Sequence, residues 1–246
     1  MRVQLQPAYV LHSRPYRDSS QLLEIFTPEY GRVSVVAKGV RRSSKGSSRG
    51  AILQPFIPLL LSFSGRSDLK TLTGSEVAGE VFMLRGVRLF SGMYLNELLV
   101  RLLQTLDAHP ELFSVYAQSI AELAGEEPMD VTLRRFEFVL LDELGYSLDL
   151  TTDGHSGMPV QAQSWYQYQV DYGLVEHAGS RQGNVPIFSG ADLLAISRDE
   201  HSPATKQTSK RLLRQALAGH LGGKPLKSRE LFRSSSKAAL VPGEHS

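Results

Sequence analysis

The chain of 246 residues is long enough for one large domain or two to three small ones, each with a hydrophobic core. Hydrophobic residues make up 41% and charged residues 21%, as in an ordinary soluble globular protein, and no apolar run approaches the ~20 residues of a membrane-spanning helix. Cysteine is absent, which excludes disulfides, thiolate catalysis and cysteine-ligated zinc; with no visible signal peptide, we expect a cytoplasmic protein.

Charge is distributed unevenly along the chain, although the formal net charge is only +2. Residues 1–50 carry a net +6, residues 107–153 a net −9, and residues 201–246 a net +7. Basic ends around an acidic middle indicate that anion binding belongs to the two ends of the chain.

Five strand-like runs are predicted in the first third of the chain, and turn residues separate them. They cover residues 8–12, 21–27, 32–38, 52–63 and 69–76. Pro55 and Pro58 lie inside the fourth run, which indicates an edge strand, a bulge or a bend there. Five short strands with one long polar loop predict a closed barrel of the oligonucleotide/oligosaccharide-binding (OB) type; an SH3-like barrel is the alternative.

The third run leads into a loop that has no apolar residue between Arg41 and Gly50. Strand and loop together carry Lys38, Arg41, Arg42, Lys45 and Arg49. A strand that delivers cations to a loop of small residues is suited to a groove for a polyanion. The alternative is a solvated hairpin tip whose charges keep a sheet edge soluble.

From about Gly79 the apolar pattern changes to the period of a helix. Its leucines and aromatic residues predict buried helical faces, and the predicted helices cover about residues 93–106, 112–123, 130–144, 190–196 and 204–221. Lys206, Lys210, Arg211 and Arg214 are spaced to share one face of the last helix.

Residues 149–187 predict a small β insert or a loop-rich subdomain between helices. An aromatic row runs through it (Trp165, Tyr166, Tyr168, Tyr172), which could stack on nucleic-acid bases, although packing of a minor core is favoured. We therefore predict an α+β protein with four parts: a barrel at 1–80, a mostly α-helical domain at 81–148 with 188–232, the insert at 149–187, and a disordered tail at 233–246.

Motifs of catalysis are missing from the sequence. It has no HExxH, no Walker loop, no G-x-G-x-x-G after a strand and no G-x-S-x-G elbow. Asp149, Asp153 and His155 lie close together and could touch a metal, which leaves a metal-dependent hydrolase as one hypothesis, but a polar connector is favoured. We expect a binding protein that is not an enzyme and has no cofactor and no metal.

Several ordered segments, spread from about residue 8 to 232, resemble the RecO family of bacterial DNA repair and recombination mediators. They include Leu11-His12-Ser13-Arg14-Pro15-Tyr16 and Gly223-Lys224-Pro225-Leu226-Lys227-Ser228-Arg229-Glu230-Leu231-Phe232. The others lie at residues 24–27, 31–33, 36–39, 53–59, 69–72, 94–98 and 134–137. Each motif alone is weak, whereas the ordered set is specific.

The resemblance implies an N-terminal OB barrel, a helical middle and a C-terminal region that in many members holds a four-cysteine zinc site. It also implies binding of single- and double-stranded DNA, strand annealing, a nucleoid-associated location, and help to RecR in loading RecA onto DNA coated by the single-stranded-DNA-binding protein SSB. Because this chain has no cysteine, we predict a metal-free remnant at 149–187. An RNA-binding OB protein of the translation machinery is the alternative function.

The resemblance also suggests roles for individual residues. DNA contacts on the barrel would be Arg14, Arg32, Lys38, Arg41 and Arg42, with Lys45 and Arg49 in a mobile flap. A second basic strip would comprise Lys206, Lys210, Arg211, Arg214, Lys227 and Arg229. Arg134, with Leu133 and Arg135, would clamp the acidic, Phe-terminated tail of SSB, unless the two arginines only bridge acids on their own helix.

Overall fold

The computed structural model describes residues 1–40, 49–177 and 185–232. Arg41, Arg42, Lys45 and the predicted tail at 233–246 lie outside these ranges, as does the side chain of Arg49. The chain divides into two compact units: residues 1–127 with the segment from Leu226 onward, and residues 128–225. The boundary at 127 falls inside the segment predicted as one helical domain.

Five strands of the first unit close into a barrel in the order β1-β2-β3-β5-β4. They are β1 (Arg2–Tyr16), β2 (Ser20–Thr27), β3 (Gly31–Ala37), β4 (Leu59–Ser64) and β5 (Lys70–Val77). The β3–β5 pair is parallel and the other pairs are antiparallel. Alternate side chains of these strands, such as Leu23, Val35 and Phe63, fill the interior. The predicted OB barrel is confirmed.

The fourth strand is shorter than the sequence predicted. A helical turn, α1 (Arg49–Ile52), and the two prolines precede it, and β4 begins only at Leu59. Pro55 forms an isolated bridge with Val10, and the carbonyl oxygen of Pro58 accepts the Ala78 amide. Since proline has no N–H to donate to a ladder, the regular strand starts immediately after Pro58.

Two helices pack against the barrel within the first unit, α2 (Gly86–Leu102) and α3 (Pro110–Ala124). Asn96 of α2 donates to the carbonyl oxygen of Leu11 on β1 at 2.9 Å and accepts the Tyr116 hydroxyl of α3 at 2.7 Å. The Tyr116 ring lies edge-on to Tyr9 and to Phe26. One buried amide and this aromatic cluster therefore fix both helices on β1 and β2.

Helix α2 begins and ends earlier than the helix predicted at residues 93–106 from the leucine pattern. It ends at Leu102, and Leu103 is extended. Thr105 then bridges to Gly31 and Arg32 of β3, and Leu106 has a positive φ of 62°. Leu103 is nevertheless buried, which shows how an apolar residue in a loop can extend a helical pattern past the end of the helix.

The second unit combines helices with a three-stranded sheet. Its elements are α4 (Met129–Glu143), β6 (Trp165–Gln169), β7 (Gly173–Glu176), β8 (Ile187–Ser189), α5 (Gly190–Ser197) and α6 (Pro203–His220). The sheet has the antiparallel order β7-β6-β8. Ser202 and Thr205 form a capping box at the start of α6. The predicted small β insert is confirmed, and Tyr166 and Tyr168 pack in its core as expected.

Candidate nucleic-acid interface

A cationic cleft of about 440 Å³ opens on the barrel, where the β1–β2 turn meets β3 and β5. Tyr16, Arg17, Lys38 and Lys70 contribute its aromatic and charged groups. Arg17 and Lys38 are exposed, whereas Lys70 is buried. Two exposed cations beside one aromatic ring are groups that a nucleic-acid strand can use, charge for its phosphates and a ring for a base, and the buried Lys70 adds positive charge to the wall.

The register of the sheet explains why Tyr16 and the end of β3 at Lys38 meet. Arg14, Leu22, Val36 and Thr71 lie in one row across β1, β2, β3 and β5. Residues two apart on a strand share a face, so the Arg14 row and Tyr16 lie on the same side, opposite the interior residues. Arg14 is exposed beside the cleft, as the predicted contact requires.

Local contacts hold two of the cations in place. The guanidinium of Arg17 lies 5.3 Å from the centre of the Tyr16 ring, a cation–π arrangement. The Lys70 ammonium donates to the carbonyl oxygen of Ser67 at 2.6 Å. These two contacts restrain the Arg17 and Lys70 side chains at the cleft.

Arg32, a predicted DNA contact, makes its polar contacts within the protein. Its guanidinium donates to Glu24 at 3.0 Å and to the carbonyl oxygen of Leu103 at 3.2 Å. The other oxygen of Glu24 accepts the Ser34 hydroxyl at 2.7 Å. Arg32 therefore joins β2, β3 and the end of α2, and we leave it out of the proposed interface.

Sequence inspection missed Arg17 and Lys70. Arg17 lies in a turn with a positive φ of 52°, and Lys70 is the first residue of β5, the last strand of the barrel in sequence. The adjacent Tyr16-Arg17 pair before a turn is the one local signal that could have indicated the first. Nothing local marks Lys70, because only strand pairing brings it to β3.

The predicted second basic strip is divided between the two units. Lys210, Arg211 and Arg214 are exposed on α6, while Lys206 pairs with Asp130 of α4 at 3.0 Å. Although partial burial favours the neutral acid, the Lys206 ammonium holds the pKa of Asp130 below its ordinary value. Lys227 and Arg229 belong to the first unit, where Lys227 is exposed.

Arg134 and Arg135 line a groove of about 220 Å³ between α4 and the α5–α6 region of the second unit. Its apolar floor is formed by Val131, Phe138, Val139 and Ile196. Leu133, predicted to lie in this surface, does not line the groove because it is buried in the helical core.

Arg134 makes the ion pair with an acid of its own helix that was the alternative prediction. Its Nη2 lies 2.9 Å from Oε1 of the buried Glu137, whereas its Nε is buried without a hydrogen-bond partner. Arg135 is exposed at the groove. The groove thus combines an apolar floor with the exposed Arg135, and three acids (Asp130, Asp199 and Glu200) also line it.

The residues considered for a metal site are used in hydrogen bonds. Both carboxylate oxygens of the buried Asp153 accept bonds from the backbone, Oδ1 from His155 and Ser156 and Oδ2 from Glu176. Burial alone would raise the pKa of Asp153, but these bonds lower it. Asp149 accepts from the Thr151 amide and hydroxyl. Among the described residues no three His, Asp or Glu side chains are grouped as metal ligands.

Comparison with known proteins agrees with this architecture. The family model described as "Recombination protein O N terminal" matches residues 1–80, and the one described as "Recombination protein O C terminal" matches residues 83–230. The chain belongs to the RecO family. The N-terminal match coincides with the OB barrel, so the family and the barrel fold support each other.

Relatives named "DNA repair protein RecO" cover nearly the whole chain. The protein of Nitrosococcus oceani is 50% identical over 98% of this chain and 97% of its own length. That of Stutzerimonas stutzeri is 48% identical over 92% of both chains, and that of Methylococcus capsulatus 46% identical over 96% and 95%. In the described ranges no helix is long and apolar enough to cross a membrane.

Proposed function

We propose that this RecO-family protein binds single- and double-stranded DNA, anneals complementary strands, and acts with RecR as a mediator that helps RecA load onto SSB-coated DNA. The observation that carries the DNA-binding part is the cleft of Tyr16, Arg17, Lys38 and Lys70 on an OB barrel. Family membership supports the role in DNA repair.

Annealing requires that two polyanions approach each other. Cations of the barrel cleft would neutralise one strand, and the exposed cations of α6 or of the 226–232 segment would neutralise a second. Base pairing then supplies the specificity and the driving force, so that no nucleotide hydrolysis is needed. Arg41, Arg42, Lys45 and Arg49 follow Lys38 in the sequence and remain predicted contacts.

The test is annealing of complementary oligonucleotides without ATP, with and without SSB coating. Single-strand affinity of the Arg17→Ala/Lys38→Ala variant is measured over a range of salt concentrations. Because each phosphate contact contributes about 0.7 to the salt slope on single strands, the slope should become shallower by about 1.4. Arg85→Ala removes an exposed cation that does not line the cleft, and it should change neither the single-strand affinity nor the salt slope. An unchanged slope in the double variant would refute the barrel interface.

Competition between DNA and RNA for the protein distinguishes the RNA-binding alternative from the proposed function in DNA repair. Labelled single-stranded DNA is displaced with unlabelled DNA or RNA of equal length and sequence. Displacement by RNA at lower concentration than by DNA would favour the translation-related function, and the reverse result supports DNA repair.

We further propose that the groove of the second unit binds the acidic SSB tail, with the terminal Phe on the apolar floor. Arg135 is the best probe, since Arg134→Ala would also leave buried Glu137 without its ion pair. Arg135→Glu should weaken binding of a tail peptide at least about threefold, whereas Lys210→Ala, outside the groove, should not. Unchanged affinity of Arg135→Glu would contradict this assignment.

A further inference from the structure

A second cleft of about 420 Å³ lies in the second unit, between the three-stranded sheet and α6. Trp165 of β6 and Ser189 of β8 are directly opposite each other in the sheet, and both line it. The next opposite pair, Tyr166 and Phe188, faces the other way and is buried. The alternation of the strands therefore presents Trp165 to this cleft.

Trp165 differs from the other aromatic residues of its strand in exposure. It is 39% exposed, whereas Tyr166 is 1% and Tyr168 is 7% exposed. The buried core on the other face of the sheet is formed by the tyrosines, and the indole lies on the cleft side. A partly exposed indole in a concave surface provides a face on which a planar ring can stack.

The side of the cleft formed by α6 carries positive charge from Arg211. Arg211 of α6 is exposed and lines the cleft, and its guanidinium lies 5.6 Å from the centre of the Phe188 ring. This cation–π contact restrains the guanidinium without neutralising it. Lys210 and Arg214 are exposed nearby on the same helix. A phosphate attached to a ring stacked on Trp165 would meet the exposed cation that lines this cleft.

Hydrogen-bonding groups complete the site. Asp192 lines the cleft, and its Oδ2 accepts the Thr208 hydroxyl at 2.8 Å, which fixes the carboxylate. A carboxylate accepts up to about four hydrogen bonds, so Asp192 can accept more. The exposed amide of Gln207 lies on the same wall. A fixed carboxylate favours a ring that carries an amino group, as cytosine, adenine and guanine do, over thymine, whose only ring N–H donor lies between two carbonyl oxygens that repel the carboxylate.

We infer that this cleft, which we call the Trp165 cleft (Trp165, Ser189, Asp192, Gln207 and Arg211), binds one unpaired nucleobase of single-stranded DNA. The base stacks on Trp165, its amino group donates to Asp192, and its phosphate pairs with Arg211. This inference rests on the proposed DNA-binding function. It adds a base-reading contact in the second unit to the phosphate contacts of the barrel cleft. Such a contact would keep the base unpaired until a complementary strand displaces it.

The chain itself provides a site-specific reporter, because Trp165 is its only tryptophan. The full-length protein is titrated with equal-length oligo(dC), oligo(dT) and an abasic oligonucleotide. Binding is followed by the anisotropy of labelled DNA and, separately, by tryptophan fluorescence. We expect strong quenching by oligo(dC), weaker quenching by oligo(dT) and little by the abasic strand, since a stacked base quenches the indole.

Variants test each contact. Trp165→Ala should weaken oligo(dC) binding about fivefold or more, as expected for loss of one stacked base, and Trp165→Phe should restore much of it. Asp192→Asn should reduce the preference for oligo(dC) over oligo(dT). Tyr172→Ala, which removes another exposed aromatic side chain outside the cleft, serves as the matched control and should bind like the unmodified protein.

The outcomes separate this inference from the proposed function. DNA binding by anisotropy without tryptophan quenching would overturn the inference and leave the barrel interface intact. Equal quenching by abasic and base-bearing strands would overturn stacking, and equal responses to oligo(dC) and oligo(dT) would overturn the selection by Asp192. Absence of DNA binding by anisotropy would overturn the proposed function itself.

Discussion

Replacing Glu97 by Gln should release the C-terminal segment (residues 226–232) from α2. The Glu97 carboxylate accepts the amide of Lys227 at 2.9 Å through Oε1, and the amide and hydroxyl of Ser228 at 2.8 and 2.7 Å through Oε2. Leu226 is buried beside these bonds, and Phe232 packs edge-on against Phe90 of α2. One side chain therefore holds the segment at its start.

The size of the effect follows from this geometry. In the Glu97→Gln variant the remaining side-chain oxygen can keep both Ser228 bonds, and the new NH₂ group then faces the Lys227 N–H. One charge-assisted bond is lost and the others weaken, which should cost about 1.5–3 kcal/mol. Since about 1.4 kcal/mol is a factor of ten, local opening of the segment should become about 10- to 100-fold more frequent.

Hydrogen exchange of the Lys227 and Ser228 amides measures this opening directly. Glu126→Gln removes an exposed acid of the same unit and should leave both amides as protected as before. If both amides exchange at the unmodified rate in a folded Glu97→Gln protein, the carboxylate does not hold the segment and the reasoning is refuted.

Lowering the pH should have the same effect on this segment as the Glu97→Gln substitution, because protonation removes the charge of the carboxylate. Burial by itself would raise the pKa of Glu97, but the bonds from Ser228 and Lys227, with Arg101 nearby, lower it. A carboxyl group with a lowered pKa stabilises the folded state fully above its ordinary value of 4.5, and this stabilisation is lost as the pH falls through the lowered value. Corrected for intrinsic exchange, the protection of both amides should fall in that window, and the fall should be absent in Glu97→Gln.

Three further substitutions test other contacts. Asp153→Asn should lower the unfolding free energy of the second unit by about 2–4 kcal/mol in denaturant titrations, because an amide cannot accept from backbone donors on both sides; a cost below about 1 kcal/mol would contradict its structural role. Gly31→Ala should cost at least about 3 kcal/mol in thermal unfolding, since its Cβ would lie 1.6 Å from the carbonyl oxygen of Asp107 at a φ of +55°; a near-normal melting temperature would count against this packing. Arg32→Ala should destabilise by about 1–3 kcal/mol and leave DNA affinity at constant salt unchanged; an affinity loss as large as that of the Arg17→Ala/Lys38→Ala variant would restore Arg32 to the interface.

Local patterns were sufficient for most of the elements. The alternation at Val33–Ala37 and the helical spacing at 112–123 report directly which side of an element is buried, so β3 and α3 appear where they were predicted. Errors arose where an apolar residue is buried outside a regular element. Leu53 and Leu103 are buried in connections, and they extended the predicted fourth strand and first helix beyond their actual ends.

The candidate sites were less predictable, because the sequence shows where charged residues occur but not which residues surround them in the folded protein. Arg32 lies near the start of β3 and Lys38 follows its end, yet Arg32 contacts Glu24 and the Leu103 carbonyl, whereas Lys38 lines the open cleft. Glu24 faces Arg32 only because β2 and β3 pair, and the Leu103 carbonyl comes from a distant part of the sequence that only the folded chain places beside Arg32.

By itself, the sequence determined the barrel, the helical second half, the family and the basic ends, since these depend on periodicity, composition and ordered motifs. Tertiary structure decided which side chains meet. Closure of the barrel brings Lys70 and Arg17 to one cleft, and pairing of β6 with β8 places Trp165 opposite Ser189 in the cleft that Arg211 of α6 also lines. A binding site requires groups from distant segments within a few ångströms of each other, and strand register sets that proximity.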